Sequence, residues 1–295
     1  MERGGAGLQL GIAYEERARF WVTGSSSPVL GSALASRGRE AQAFARMKRL
    51  IGAWIGAALT LGLAGGIAAP VLAETPPSVE RSDVPSHALL TKLGQYALRF
   101  EQMEKRGSFL LEAQMDELDA NGKIDARKEL VVRSTATPHE RVTEILRYFE
   151  DGTDKTEEAR KKAAVRARSK DPKNKRVLLP FLPREQGRYS FRMTARNPRL
   201  PGRVRVSFRP LAPDDTTWAG SAWVDETTGD VLSLGFSPSE TPLFIERVVI
   251  QVQFEHQTAL GRAPSSLTFE ARGGLLFIKK HYTGSAQLLD PRIAF

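Results

Sequence analysis

The 295-residue chain contains no cysteine. Disulfides, thiolate nucleophiles and cysteine-based zinc sites are therefore excluded, and so is an acylated N-terminal cysteine. Histidine is scarce. His87, His139, His256 and His281 stand apart, none at metal-ligand spacing from another, and read as surface or half-buried imidazoles. No metal and no other cofactor is expected. Gly-x-Gly-x-x-Gly and Walker patterns are missing, and Gly273-Gly274 is a lone pair between strand patterns. A serine nucleophile needs an elbow such as Gly-x-Ser-x-Gly. Gly220-Ser221-Ala222 and Gly284-Ser285-Ala286 lack the second glycine and lie in strand patterns. Asp214-Asp215 and Asp225-Glu226 are acid pairs where turn chemistry already expects Asp. No catalytic residue is assigned, and the chain is not expected to be an enzyme.

One long apolar run is present. Lys48 and Arg49 follow Met47, Leu50 to Ala69 is apolar apart from small residues and Thr60, Val71-Leu72-Ala73 ends it, and Glu74-Thr75-Pro76-Pro77 is abruptly polar. That order is the pattern of a secretory signal peptide, 47–73, cleaved near Ala73 to give a periplasmic or secreted protein. A membrane anchor at 50–72 is the alternative. The Gly/Ser/Arg-rich segment 1–46 reads as a mis-called or disordered extension, with translation starting at Met47; a cytoplasmic extension before an anchor is the other account.

Residues 74–86 read as a linker, and 87–295 as a single β-rich domain. Ser86 is the expected N-cap of a helix in which Leu89, Leu90, Leu93, Tyr96, Ala97, Phe100 and Met103 recur at three and four residues, up to Gly107. From Ser108 the period becomes two, and Asn121-Gly122 marks a hairpin. Residues 140–150 fit a helix with a capping box at Thr137–Glu140, or a strand from Val142 to Phe149; flanking hairpins favour the strand. Thr156 to Lys170 reads as a charged helix, and Val177 to Pro183 as a packed, proline-punctuated loop. Alternating segments then run almost to the end, with strands expected at Leu275–Tyr282 and Ala286–Leu289. The fold expected is α+β: a large curved antiparallel sheet, half-barrel-like, of roughly eight to eleven strands, with an N-terminal helix and one charged helix.

The strand-turn-strand from Gly220 to Leu232, with Trp223-Val224-Asp225 and Gly229, and the downstream Phe244–Ile250 carry a resemblance. With the export signal and first helix, they resemble the outer-membrane lipoprotein-sorting (LolA-like) group of exported proteins. The resemblance implies an open half-barrel whose concave side is covered by helices and binds acyl chains or other apolar matter. It transfers no binding residue one for one.

Charge is uneven along the mature chain. Lys155 to Arg209 holds 18 basic and 4 acidic residues, against 17 and 26 in the rest of the chain from Glu74 onward. Alternation puts Arg188, Arg192 and Arg196 on one face of a strand, and Arg203, Arg205 and Arg209 on one face of its return strand. If the two pair, these guanidiniums form a face for an anionic partner, such as a membrane surface or an envelope protein. Tyr189, Phe191, Met193, Val204, Val206 and Phe208 then point the other way, as ligand-lining positions. Export argues against nucleic acid. The functional expectation is a binding or carrier protein for an apolar or lipid-like ligand. The alternative is a structural or interaction protein of the envelope that docks through the arginine face.

Overall fold

The computed structural model describes residues 83–137, 141–168, 179–214, 216–241, 245–275 and 278–293. The expectations for 1–46, the signal segment 47–73, the linker up to residue 82, His139 and the loop at 169–178 lie outside the described residues. All described residues belong to one compact unit, Ala43–Phe295.

Helix α1 (His87–Arg106) starts where the sequence places it. Ser86 caps it, its Oγ accepting from the Leu89 amide at 3.2 Å. Lys105 and Arg106 in its last turn suit the negative end of the helix dipole, and Gly107 ends it. Leu89, Leu93, Gly94, Tyr96, Ala97, Phe100 and Met103 are buried. Each large apolar side chain taken from water contributes about 1.5–3 kcal/mol, so this stripe anchors the helix. Helix α2 (Thr156–Arg168) is the expected charged helix, and α3 (Pro183–Gln186) is a single turn.

Thirteen strands follow among the described residues: β1 (Gly107–Leu118), β2 (Ile124–Ala136), β3 (Arg141–Glu150), β4 (Thr153–Asp154), β5 (Tyr189–Arg196), β6 (Arg203–Pro210), β7 (Trp218–Asp225), β8 (Val231–Pro238), β9 (Ile245–Gln253), β10 (His256–Thr258), β11 (Gly261–Ala263), β12 (Ser266–Leu275) and β13 (Ile278–Ile293). Eleven form one curved, unclosed antiparallel sheet in the order β4-β3-β2-β1-β13-β12-β9-β8-β7-β6-β5, which is the α+β fold expected. Residues 141–150 are strand, because they pair with β2 along their whole length. The turn after them has Asp151 and Gly152 both at positive φ.

Two parts differ from the expectation. Leu275 ends β12 and pairs with Ile278 at the start of β13, so residues 275–282 are not one strand; β13 runs from Ile278 past Tyr282 and on through Ala286–Leu289. The hairpin β10–β11, outside the main sheet, has three residues per strand, too few to register as a period.

Helix α1 lies on one face of the sheet, and three of the polar contacts that hold it are the following. The Tyr96 hydroxyl donates to the Arg262 carbonyl of β11 at 3.0 Å. Arg99 pairs with Asp230 at 3.1 Å. Lys92 Nζ donates to the Glu226 carbonyl at 3.3 Å. The β7–β8 turn that carries the family resemblance therefore docks on α1.

Candidate functional site

Cross-strand register assigns every strand residue to the helix-covered face or to the open face. One row of the covered face runs from β3 to β5 as Glu150, Lys128, Met115, Gly284, Phe269, Ile250, Phe236, Gly220, Phe208 and Phe191. The row passes from charged to aromatic. Its glycines make room for neighbours: a Cβ on Gly284 would overlap the Phe269 ring, and one on Gly220 would overlap the Gly235 carbonyl oxygen and lie 2.8 Å from the Phe236 Cα.

The six apolar candidates are all at the aromatic end. Val204, Val206, Phe208 and Tyr189 are buried, and Phe191 and Met193 are half-buried and pack against the same core. What covers them is the protein itself. The Phe181 ring lies 5.6 Å from that of Phe208 and 5.8 Å from that of Phe191, and Tyr189 lies 6.3 Å from Phe208. Leu179 and Leu182 of the proline-punctuated loop and the α1 stripe complete this core.

Farther along the same face lie two smaller clusters that contain no residue of α1. One is built on Phe109, Leu111, Val132, Ala286 and Leu288, the other on Ala271 and Tyr282. Half-buried Ala113, Leu130 and Ile145 adjoin the first, and Met115, Val248 and Phe269 the second. The strip is closed near the end of α1 by Arg141, which donates to Ser134 Oγ at 2.7 Å and to the Glu104 carbonyl, with its guanidinium 5.4 Å from the centre of the Phe109 ring.

The other end of the strip is charged. Glu150 bridges Lys128 at 2.9 Å and Lys155 at 2.8 Å. Hydrogen bonds from Lys155 and then Lys128 push its carboxyl down to about 2. Burial opposes the charge on Lys128, but Glu150, Tyr148 and Glu117 together outweigh burial and hold the ammonium above its ordinary range. Lys280 pairs with Glu117. Burial first, and then the Glu117 carboxylate, push the Tyr282 phenol well up, so it stays protonated.

The open face is polar. The row next to the one above reads Gln114, Ser285, Thr268, Gln251, Gly235, Ser221, Ser207 and Arg192. A groove of about 390 Å³ is lined there by Gln114, Asp116, Arg247, Gln251, Thr268, Glu270, Thr283 and Ser285, among others. Its carboxylates are already paired: Asp116 takes two bonds from Arg127, at 2.7 and 2.9 Å, and Glu270 meets Arg272 at 2.7 Å.

The arginine candidates do not form one set. Arg192, Arg203, Arg205 and Arg209 share the open face, with Arg205 donating to Ser221 Oγ at 3.1 Å. Arg188 is engaged by Glu185 at 3.0 Å and Asp214 at 3.2 Å. Arg196 is on the other face. A bulge between Met193 and Ala195 shifts the register and sets Arg196 opposite Val204, because one extra residue reverses the side to which the following side chains point. There it pairs with Glu226 at 2.7 Å. Arg192, Arg203 and Arg209 have no ion-pair partner among the described residues.

No protein-family model matches the chain, and no curated protein matches it. Among solved structures, a DUF1329 family protein from Desulfovibrio piger is similar at 12% identity and a TM-score of 0.35, over 69% of this chain and 92% of that one. A domain described as an outer membrane lipoprotein-sorting protein, from Vibrio parahaemolyticus, is similar at 13% and 0.34, over 70% and 93%. A LolA superfamily protein from Nitrosomonas europaea is similar at 11% and 0.29, over 70% and 94%. The descriptions of the second and third name the group that the sequence resembles. At these TM-scores no residue role is carried over from them.

Proposed function

We propose that this protein is an exported binding or carrier protein for an apolar, lipid-like ligand. The site is the strip of the helix-covered face formed by β1, β2, β3, β12 and β13, rather than the aromatic end under α1. One observation carries the reading: apolar side chains at Ala113, Met115, Leu130 and Ile145 are only half-buried and adjoin clusters to which α1 contributes nothing, while Val248 of β9 and Phe269 join this strip to the α1 core. Apolar surface left partly open on one side of a sheet is a place where a ligand can bury area, at about 25 cal/mol per Å². Export rests on the segment 47–73, with the anchor at 50–72 as the alternative; among the described residues no helix is long and apolar enough to cross a membrane. The reading involves no catalytic step.

Displacement of a fluorescent fatty acid tests it. The wild type should bind the probe saturably, and Ala113→Trp, which fills the strip, should weaken binding by about tenfold or more, equivalent to 1.4 kcal/mol. Binding that does not saturate, or that is equal in the two proteins, would remove the assignment.

A second reading is favoured by the three unpaired guanidiniums of the open face, which suit an anionic membrane surface. Replacing Arg192, Arg203 and Arg209, two exposed and the second half-buried, together with glutamine should leave stability within about 0.5 kcal/mol of wild type for each surface site. It should weaken sedimentation with anionic vesicles by roughly 1 kcal/mol per residue at low salt, and the difference should shrink as salt rises. Equal sedimentation at low salt would make this face an ordinary solvated surface.

A further inference from the structure

We infer that the charged end of the apolar strip receives the head group of the ligand, and that this head group is anionic. The inference rests on the carrier reading above and adds the chemical class: a single-headed amphiphile such as a long-chain carboxylate. Three observations meet there.

The first is placement. Lys128 stands opposite Met115 on the neighbouring strand, on the same face, so an acyl chain lying along Leu130 and Met115 brings its end to the ammonium. The second is charge. Lys128, Lys155 and Lys280 face two carboxylates, Glu150 and Glu117. The nearest other pair on α2, Glu158 with Lys162 at 2.6 Å, balances itself. Asp154, beside Lys155 in the chain, pairs with Phe149 and so has the parity of the open face; on the covered face the three ammoniums outnumber the two carboxylates, at the end of an apolar surface where a partner in a half-desolvated site is favoured over water.

The third is a buried phenol. Tyr282 is only 3% exposed, and its hydroxyl faces the Glu117 carboxylate, which Lys280 also engages. It stays protonated, so it can donate to a ligand oxygen that arrives beside it.

The role of Lys128 can be separated from that of structure. Glu150 keeps Lys155 as partner when Lys128 is changed, so Lys128→Met leaves no orphaned carboxylate. The probes are hexadecanoate, hexadecanol and hexadecyltrimethylammonium, each titrated against the wild type and Lys128→Met by displacement of the same fluorescent reporter. The wild type should bind hexadecanoate about tenfold more tightly than the alcohol, the scale of one hydrogen bond to a charged group, and the cation more weakly still. Lys128→Met should lose most of the preference for carboxylate over alcohol while keeping its affinity for the alcohol and its thermal midpoint. If all three probes bind alike, or if the variant keeps the preference, the head-group inference is overturned and the apolar site stands. If none of the probes binds, the carrier reading falls, and the inference falls with it.

Discussion

Phe208→Ala should destabilise the protein by about 3–5 kcal/mol, the range for an aromatic side chain removed from a closed core. Phe208 is 1% exposed and touches the rings of both Phe181 and Tyr189. Its neighbours come from β5, β6 and the loop before α3, elements held by different parts of the chain, so they cannot collapse freely into the space. The matching measurement is urea denaturation, reading the midpoint with the slope unchanged. The same variant should bind the fatty-acid probe as the wild type does, under conditions where both are folded. A loss below about 1 kcal/mol, which lies under the range for a filled core, accompanied by weaker ligand binding, would mean that this end of the face is an open site and not a core.

The next largest effect is expected at Gly229. Its φ is +76°, and a Cβ there would lie 2.5 Å from the Lys92 Cβ and 2.7 Å from the Lys92 carbonyl carbon. Gly229→Ala therefore combines left-handed strain of about 1–2 kcal/mol with an overlap that costs about 1–3 kcal/mol when the neighbour is fixed. The neighbour is the backbone of α1, so relief requires the β7–β8 turn to lift, straining the Arg99–Asp230 pair and the Lys92 bond to Glu226. Gly122→Ala is the control. Gly122 has φ +81° with nothing within 4 Å of the added atom, so it bears the strain alone. Thermal or urea unfolding of the two variants should place Gly229→Ala well below Gly122→Ala. Equal losses would mean that the turn is not docked on the helix.

These two residues also show what could be read from the sequence. The helix His87–Arg106 was legible because a capping serine, a three-four stripe and a terminal glycine agree with one another. The alternation in β5 and β6 correctly separated Val204, Val206 and Phe208 from Arg203, Arg205 and Arg209. Parity says which residues share a face. It does not say whether a face is covered by protein or by ligand, and that depends on Phe181 and α1, which are distant in sequence. Nor does parity survive a bulge: the extra residue after Met193 carried Arg196 to the other face and to Glu226. The strip around Met115 and the lysines at its end depend on the pairing of β1 with β13, the first and last long strands of the sheet. No local pattern announces that pairing. Gly220 and Gly284 likewise read as simple strand glycines until Phe236 and Phe269 are placed beside them.

The central claim is that the half-buried strip of the covered face holds an apolar ligand. Native mass spectrometry of the protein isolated from its own cell envelope, without detergent exchange, tests it most directly. The account predicts a non-covalent adduct of one acyl-chain-bearing molecule per polypeptide, released on collisional activation and depleted in Ala113→Trp. A bare polypeptide mass, under conditions in which a known lipid carrier keeps its ligand, would contradict it.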